Sequence, residues 1–300
     1  MTRHVVSSVL GGIGVVAGAC LAYGAFIERN AFRLEKHMLP ILPAGSAPIK
    51  VLHLSDIHLL PGDRAKIAFI RSLGELKPDF IVNTGDNLAT GAALGALARA
   101  FEPLAGVPGV FVLGSNDFFA PAWRNPARYF LPRRPARGGD RLPTGELLGF
   151  LEDCGWTNTE DKELGFDLLG TRIIVRGCGD AHLGWEDYES VAGPVPAETD
   201  LFIAVTHAPY RSVLDLMTAD GADLIFAGHT HGGQVCLPGG HALTTNCDLP
   251  TCQARGLSQW NHGDRWSHLH VSAGLGTSPY APYRFACPPE ATLIPLQARD

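Results

Sequence analysis

The sequence lacks a surplus of basic residues. Its 300 residues contain 24 Lys and Arg against 30 Asp and Glu, which gives a formal net charge of −6. Binding to a nucleic-acid backbone normally depends on clustered cationic side chains that displace counterions from the phosphates. We therefore expect no nucleic-acid partner for this chain.

Charged residues as a whole are scarce, and the cysteines form no metal-binding pattern. Charged side chains make up 18% of the chain, while 35 Gly and 22 Pro indicate many turns. The seven cysteines include no C-x-x-C pair, which argues against a zinc knuckle. They permit either disulfides, with Cys247 and Cys252 the nearest pair, or scattered buried thiols. A hydrophobic content of 46% supports a full core, so a loop-rich α/β or α+β enzyme fits best.

The N-terminal region contains a long uncharged stretch, residues 5–27. A helix of that length rises about 1.5 Å per residue and would cross a hydrocarbon core of roughly 30 Å. We predict an uncleaved single-pass anchor in the cell membrane within residues 1–28, with a cleaved signal peptide as the alternative. The basic residues on the two flanks do not decide which side of the membrane holds the rest of the chain.

The remainder divides into a short connector and one domain. Residues 29–48 contain several prolines and are predicted to be a stem, and residues 49–300 are predicted to form the catalytic domain. Apolar runs that end at Leu54, Thr84 and Leu113 alternate with helical spacing, which predicts a βαβαβ order and a sheet covered on both faces. Further strands are predicted in residues 201–206, 223–227, 269–273 and 291–296, with a hairpin around 172–175.

Five short polar segments each follow an apolar strand. They are Asp56-x-His58, Gly85-Asp86, Gly114-Ser115-Asn116-Asp117, Thr206-His207 and Gly228-His229-Thr230-His231. Open α/β sheets bind ligands at the carboxyl ends of their strands, where glycine lets the backbone approach closely. Asp, Asn and His supply the oxygen and nitrogen donors that divalent metals take. One such segment alone would be a weak signal, but the ordered set predicts a metal site.

The order of these segments resembles that of the calcineurin-like metallophosphoesterase family, whose pattern is D-x-H, GD, GNH[DE], H and GHxH. The resemblance covers residues 49–300, and the anchor and stem are similar to the membrane-associated bacterial branch of that family. It implies an α/β fold in which a two-sheet mixed β-sandwich is flanked by helices. It also implies two divalent ions, Mn, Fe or Zn, with Asp56, His58 and His231 on one ion, Asn116, His207 and His229 on the other, and Asp86 bridging both.

The third segment departs from the family pattern. An ungapped comparison with GNHD aligns Ser115 with the metal-binding Asn and Asn116 with the His. A shift of one residue keeps Asn116 as the ligand and places Asp117 where the His stood. We prefer the shift, because an amide oxygen is a better neutral ligand for a hard cation than a hydroxyl.

Either comparison removes the His that would protonate the leaving group. Because a general acid contributes about 10²–10⁴-fold, we expect a preference for good leaving groups unless His53, His182 or His241 replaces it. Asp180-x-His182 imitates the first segment but lies outside the ordered set, so it is interpreted as pocket wall or structural. The residues we predict to be catalytic are Asp86, Asn116, Asp117 and His207.

A stretch rich in arginine and aromatic residues lies between the third and fourth segments and includes Arg133 and Arg134. This stretch is interpreted either as a solvated loop or as a lid whose arginines bind phosphate in bidentate fashion. We name Arg133, Arg134 and His182 as candidate substrate-binding residues.

The predicted function is a membrane-anchored, metal-dependent phosphoesterase. A hydroxide that bridges two metal ions would hydrolyse a phosphodiester or pyrophosphate bond. The resemblance and the anchor together favour a lipid-linked or nucleotide-linked substrate. The alternative is a metal-binding, weakly active scaffold protein with a degenerated GNHD segment. A receptor or transporter subunit is disfavoured, because only one spanning segment is predicted.

Overall fold

The computed structural model describes residues 14–122 and 139–299, in which two large mixed sheets and a two-stranded one are accompanied by helices. The helices are α1 (described from residue 14 to 22), α2 (Arg64–Ser72), α3 (Leu94–Phe101), α4 (Ser115–Phe118), α5 (Thr144–Asp153) and α6 (Arg211–Ala219). The strands are β1 (Arg33–Lys36), β2 (Leu39–Leu42), β3 (Ile49–Leu54), β4 (Phe80–Asn83), β5 (Gly109–Phe111), β6 (Trp156–Asn158), β7 (Lys162–Leu168), β8 (Thr171–Gly177), β9 (Leu201–Val205), β10 (Leu224–Ala227), β11 (Cys236–Leu237), β12 (His241–Ala242), β13 (Gly256–His262), β14 (Arg265–Val271) and β15 (Glu290–Ala298).

The first sheet has the strand order β1-β15-β3-β4-β5-β6, and β2 also pairs with β15. Strands β3 to β6 are parallel, whereas β15 runs antiparallel to β3. The second sheet has the order β13-β14-β10-β9-β8-β7, with a parallel centre and an antiparallel strand at each edge. The parallel centres of both sheets place the carboxyl ends of their strands at one edge, where ligand sites form.

The two sheets pack face to face through apolar side chains. Val51 and Val82 of the first sheet and Val175 and Ile203 of the second are fully buried in one cluster between them. Burial of an aliphatic side chain of this size contributes roughly 1.5–3 kcal/mol, and branched residues suit the pleated surface. Helices α2, α3 and α5 cover the outer face of the first sheet, and α6 covers the second. The expected α/β architecture, two mixed sheets with helices, is confirmed.

The predicted strands overlap β3, β4, β5, β9, β10, β14 and β15, and the predicted hairpin is β7–β8. All seven cysteines are free thiols, so no disulfide crosslinks the chain.

The structure differs from the sequence prediction in the connector. Residues 29–48, predicted to be a stem, contribute β1 and β2 to the first sheet, where both pair in parallel with β15. Glu28 is also buried, and its carboxylate accepts hydrogen bonds from the backbone N–H groups of Ala286 and Cys287 at 3.0 and 2.6 Å. The domain therefore begins before residue 49, because β1 and β2 of its first sheet lie within the connector.

The predicted membrane anchor lies only partly within the described residues. Of residues 5–27, those from 5 to 13 fall outside them. Within residues 14–122 and 139–299, the helices are all too short or too polar to cross a bilayer.

Candidate metal centre

Seven predicted ligand side chains converge where strands of both sheets end. Asp56 and His58 follow β3, Asp86 follows β4, and Asn116 lies in α4 after β5. From the second sheet, His207 follows β9, and His229 and His231 follow β10.

A first cluster contains Asp56, His58 and His231, whose ligand atoms all lie within 4.8 Å of one another. The Nε2 atoms of His58 and His231 are 3.2 Å apart, and His231 Nε2 is 3.6 Å from Asp56 Oδ1. Two nitrogen ligands at about 2.1 Å from a single ion would be separated by roughly 3.0–3.4 Å, so the nitrogen spacing fits a shared cation.

A second cluster contains Asp56, Asp86 and His207 within the same 4.8 Å limit. Asp86 Oδ2 lies 3.4 Å from His58 Nε2 and 3.7 Å from His207 Nε2. Its carboxylate therefore lies between a ligand of the first cluster and one of the second, as a bridging ligand would. The ring of His229 packs edge-on against His207, with centroids 5.2 Å apart, which brings the remaining imidazole to this side.

Two buried ligand atoms form no hydrogen bond among the described residues. Asp56 Oδ1 and His207 Nε2 are inaccessible to solvent and accept or donate no hydrogen bond within the described part of the chain. An unpaired buried polar atom is costly, so such atoms need an explanation. A cation at this position would satisfy both, and the donor set of carboxylates and imidazoles suits a divalent metal.

Three of the four ligand histidines are held by backbone carbonyls through their other ring nitrogen, whereas His58 Nδ1 is buried without a hydrogen-bond partner among the described residues. His207 Nδ1 donates to Thr84 O at 2.6 Å, and His231 Nδ1 to Gly276 O at 3.2 Å. His229 Nε2 lies 3.2 Å from Asn246 O. Such a bond fixes the ring and leaves the opposite nitrogen with a lone pair for a metal.

Most of the ligand residues adopt a backbone conformation that is rare outside glycine. The φ angles of Asp56, His58, Asp86, His229 and His231 are 48°, 42°, 56°, 67° and 50°. Each costs of order 1–3 kcal/mol, and such residues cluster at functional sites, where the surrounding structure enforces them. Sharp left-handed turns after the strands aim these side chains into a common space.

Glycine is required at two places because the ligands pack directly on the backbone. A Cβ atom at Gly114 would collide with the Asp86 carboxylate and the His207 ring. One at Gly228 would collide with Ser55 and Asp56. These are the glycines of the third and fifth sequence segments, which explains why glycine precedes the ligands there.

The protonation states also suit a cation site. Burial lowers the pKa of His231 to about 3, and burial together with neighbouring histidines holds the pKa of His58 and His229 well below the usual range. Burial acts on His207 in the same direction, but the negative charges of Asp86, Asp180 and Asp56 outweigh it and raise its pKa to about 9. Three of the four ligand imidazoles are thus neutral, and the negative field that favours a proton on His207 would equally stabilise a cation at this position.

Two buried cations support the ligand loops, and no sequence motif indicates either. Lys66 donates from Nζ to Ile57 O at 2.8 Å and to His58 O at 3.4 Å. Arg284 is fully buried, and within the described part of the chain its guanidinium binds backbone carbonyls and one thiol. Its guanidinium donates to His231 O, Ala273 O, Gly274 O, Gly276 O and Cys287 O, and more weakly to Cys287 Sγ.

The altered third segment separates into two environments. Asn116 lies against the Asp86 carboxylate, whereas the carboxylate of Asp117 points under the Asp86 backbone. Asp117 accepts hydrogen bonds from the N–H groups of Asp86 and Asn87, both at 2.7 Å, and of Gly114 at 3.1 Å. Burial and the charge of Asp86 raise the pKa of Asp117 to about 7. A catalytic role for Asp117 stays a prediction. In the structure its carboxylate binds the backbone of the ligand loops and so stabilises their conformation.

The candidate replacements for the missing His lie in different places. His182 is beside the metal ligands, with its ring centroid 4.6 Å from that of His229 and its Nδ1 3.2 Å from the hydroxyl of Tyr210. His53 is buried between the sheets, and His241 is exposed in β12. Geometry therefore selects His182 among the three. Arg133 and Arg134 lie outside the described residues.

This chain is similar over most of its length to several bacterial proteins. Phosphodiesterase YaeI of Escherichia coli (strain K12) is 26% identical over 290 residues, which cover 94% of this chain and 94% of the relative. An uncharacterized metallophosphoesterase of Aquifex aeolicus (strain VF5) is 26% identical over 298 residues, 96% of this chain and 98% of the relative. The uncharacterized protein YpbG of Bacillus subtilis (strain 168) is 24% identical over 229 residues, 75% of this chain and 78% of the relative. The sequence profile of the calcineurin-like phosphoesterase family matches residues 49–233, and the chain belongs to that family.

Proposed function

We propose that this chain hydrolyses a phosphodiester or pyrophosphate bond with two divalent metal ions. The observation that carries the proposal is the pair of adjacent ligand clusters that share Asp56 and contain buried, unpartnered ligand atoms. Both clusters use carboxylate and imidazole donors, which suit Mn, Fe or Zn. The name of the relative YaeI, a phosphodiesterase, supports the choice of a diester.

Bound ions would lower the pKa of water towards neutrality and neutralise the charge on the phosphate oxygens. The protein's part is to hold the ligands rigidly. Thr84 O fixes His207, and Asn116 donates to both oxygens of Asp86. No serine or cysteine nucleophile is then required.

The polar groups at the edge of the clusters would contact the substrate. His182 and Tyr210 are hydrogen-bonded to each other beside His229. An imidazole and a phenol at this position can donate to a phosphate oxygen or to the leaving group. This position supports a role for both residues in contacting the substrate of the proposed reaction.

Attachment to the cell membrane through the N-terminal segment is a further part of the proposal. The described end of this segment exposes large apolar side chains, with Val15, Val16, Leu21 and Phe26 at 73, 63, 60 and 75% exposure. Such a surface gains by burial in lipid, and a lipid-linked or nucleotide-linked substrate would suit it. The full chain is expected in the membrane fraction after alkaline carbonate extraction, and recovery in the supernatant would contradict attachment.

The decisive experiment uses the full chain in detergent, stripped of metal with a chelator and reloaded with Mn²⁺ or Zn²⁺. Hydrolysis of a chromogenic phosphodiester and a monoester is then measured. We expect metal-dependent turnover that falls at least about 10²-fold in Asp86→Asn and His207→Ala, while the exposed-site control His262→Ala keeps it. Turnover that does not depend on metal, or that persists in both variants, would refute the proposal. Metal binding without turnover would favour the scaffold alternative.

A further inference from the structure

A continuous line of hydrogen-bonded side chains runs from Asp56 into the space between the two sheets. Ser55 Oγ lies 2.5 Å from Asp56 Oδ2, and Thr84 Oγ1 lies 2.6 Å from Ser55 Oγ. His53 Nε2 is 3.0 Å from Thr84 Oγ1. A fifth residue ends the line, since His270 Nδ1 is 2.9 Å from His53 Nδ1. All five side chains are fully buried, so water does not compete for these bonds.

The direction of every bond in this line follows from Asp56. A metal-binding carboxylate is ionised and only accepts, so Ser55 must donate to it. Ser55 has a single proton, so it accepts from Thr84, and Thr84 in turn accepts from the Nε2–H of His53. A neutral imidazole carries one N–H, so His53 Nδ1 accepts from the Nδ1–H of His270.

The far end of the line fits this assignment. With its proton on Nδ1, His270 has a bare Nε2, and Nε2 is buried without a hydrogen-bond partner among the described residues. A buried acceptor without a partner is tolerated better than a buried N–H without one. The opposite tautomer would leave an N–H unpaired there.

We infer that His53 and His270 are positioning residues of the metal centre, which act on Asp56 through Thr84 and Ser55. Oδ2 of Asp56 accepts from Ser55 and also from the backbone N–H of His229 at 2.9 Å. With Oδ2 held twice, Oδ1 remains as the single oxygen that the residue offers to an ion. The inference rests on the proposed role of Asp56 as a metal ligand.

Thr84 extends the effect to the second cluster. Its hydroxyl belongs to the line towards Asp56, while its carbonyl accepts from His207 Nδ1 at 2.6 Å. One residue at the end of β4 therefore orients one ligand in each cluster. Outer groups of this kind typically influence metal affinity or activity by about 10–100-fold.

The first test measures the tautomers directly. Nitrogen-15 spectra of the Zn²⁺-loaded full chain with labelled histidine would report which ring nitrogen carries the proton. Signals are assigned with His53→Gln and His270→Gln. We expect Nε2–H for His53 and Nδ1–H for His270. Nδ1–H on His53, or Nε2–H on His270, would overturn the inference, whatever the enzymatic activity.

The second test breaks the line without changing its shape. Thr84→Val removes only the hydroxyl, and we expect the dissociation constant for Zn²⁺ to rise about 10–100-fold, with Thr84→Ser restoring it. Thr292→Val is the matched control, because Thr292 pairs with His53 in the sheet and its buried hydroxyl has no partner in the described chain. Unchanged affinity in Thr84→Val, or an equal loss in Thr292→Val, would refute the inference.

A further pair keeps the test open if Thr84→Val does not fold. Ser55→Ala interrupts the same line one bond nearer to Asp56, and it should weaken Zn²⁺ binding to a similar extent. His53→Gln retains an N–H donor and His53→Leu does not, so His53→Gln should bind Zn²⁺ more tightly. Wild-type protein that binds Zn²⁺ but hydrolyses no ester would defeat the proposed function alone. Wild-type protein that binds no divalent ion would defeat both.

Discussion

Asn116 binds the carboxylate of Asp86 at both oxygens. Its backbone N–H donates to Oδ1 and its side-chain Nδ2 to Oδ2, each over 2.7 Å. The amide oxygen of Asn116 is then the atom that remains for a cation next to the proposed bridging ligand. The neighbouring Ser115 hydroxyl contacts the same amide only at 3.4 Å.

This relationship distinguishes the two ways of aligning the third segment. Asn116→Ala should raise the dissociation constant of the ion that Asn116 would bind at least about 10-fold, because the substitution removes an oxygen ligand and one of the two hydrogen bonds to Asp86. Ser115→Ala, the matched control, should change it less than about twofold. Calorimetric titration of the metal-stripped protein with Mn²⁺ measures both. The reverse ranking would favour the ungapped comparison, with Ser115 as the ligand.

The buried Arg284 leads to a prediction about stability and metal binding together. Arg284→Lys keeps the charge but has three donors for the carbonyls that the guanidinium binds, so several buried carbonyls lose their partner. We expect a loss of about 2–4 kcal/mol in the free energy of unfolding and weaker Zn²⁺ binding, since His231 and Gly276 lie among those carbonyls.

Arg265→Lys is the control for that change. Arg265 is exposed and donates to a single carbonyl, that of Ala219, at 2.7 Å. Its replacement should alter stability by less than about 0.5 kcal/mol. Urea denaturation of the metal-stripped chains, followed by metal titration, compares the two. Equal and small effects in both would show that the buried guanidinium is dispensable.

Much of the site could be predicted from residue types because metal ligands leave a chemical signature. Asp56, His207 and His229 follow recognisable apolar strands, and the structure brings them together. The support of the site leaves no such signature. Arg284 binds backbone carbonyls, which every residue carries, so no spacing or residue type identifies its targets.

Strands β1 and β2 of the first sheet could not be predicted from the sequence for a similar reason. Strand β1 has the sequence RLEK, which lacks the apolar pattern of a buried strand, and β2 is apolar but contains Pro40, which argues against a central strand. Both pair with β15, which lies more than two hundred residues later, and a local pattern carries no information on such a partner. Edge strands tolerate charge and proline because half of their backbone groups face away from the sheet.

Glu28 yields a prediction about where the folded domain begins. Glu28→Ala leaves the backbone N–H groups of Ala286 and Cys287 without their carboxylate, close to the loop that carries Arg284. Two charge-assisted hydrogen bonds are lost, so we expect about 2–4 kcal/mol lower stability in urea denaturation. Glu189→Ala, at an exposed position, should leave the stability unchanged. Unchanged stability in Glu28→Ala would instead support a domain that starts after the connector.

Glu290 should make stability depend on pH. Burial is the main cause that raises its pKa from 4.5 to about 7, while the Ala273 N–H that it accepts acts in the opposite direction. Because the folded value exceeds the unfolded one, its stabilising contribution is complete below pH 4.5 and is lost as the pH rises through 7. The loss amounts to about 3 kcal/mol in the free energy of unfolding.

Replacement of this carboxyl group by an amide isolates the effect. Glu290→Gln can still accept from Ala273 but does not ionise, so the stability of the wild type relative to Glu290→Gln should fall by about 3 kcal/mol as the pH rises from 4.5 through 7. Glu75→Gln, at an exposed position, should behave as the wild type. Urea denaturation of metal-stripped protein at several pH values provides the comparison. Parallel curves for wild type and Glu290→Gln would contradict the assignment.

The absence of a histidine in the third segment should be visible in the choice of substrate. No imidazole occupies that segment, and the described residue best placed to protonate a leaving group is His182, at the edge of the clusters beside Tyr210. If His182 serves only to bind phosphate, the rate should depend steeply on the acidity of the leaving group. Diesters with a nitrophenol leaving group should then be hydrolysed faster than alkyl diesters. The ratio of the two rates should be far larger than the factor of about 10²–10⁴ that a general acid supplies.

A series of aryl diesters of increasing leaving-group pKa measures this dependence in wild type and in His182→Ala. We expect a steep slope for the wild type and the same slope, with a raised KM, for His182→Ala, because the variant loses a phosphate contact and no proton donor. Tyr210→Phe should raise KM less, since it keeps the aromatic ring and removes a single hydroxyl from His182. A shallow wild-type slope that becomes steep in His182→Ala would show that His182 is the general acid in place of the missing histidine.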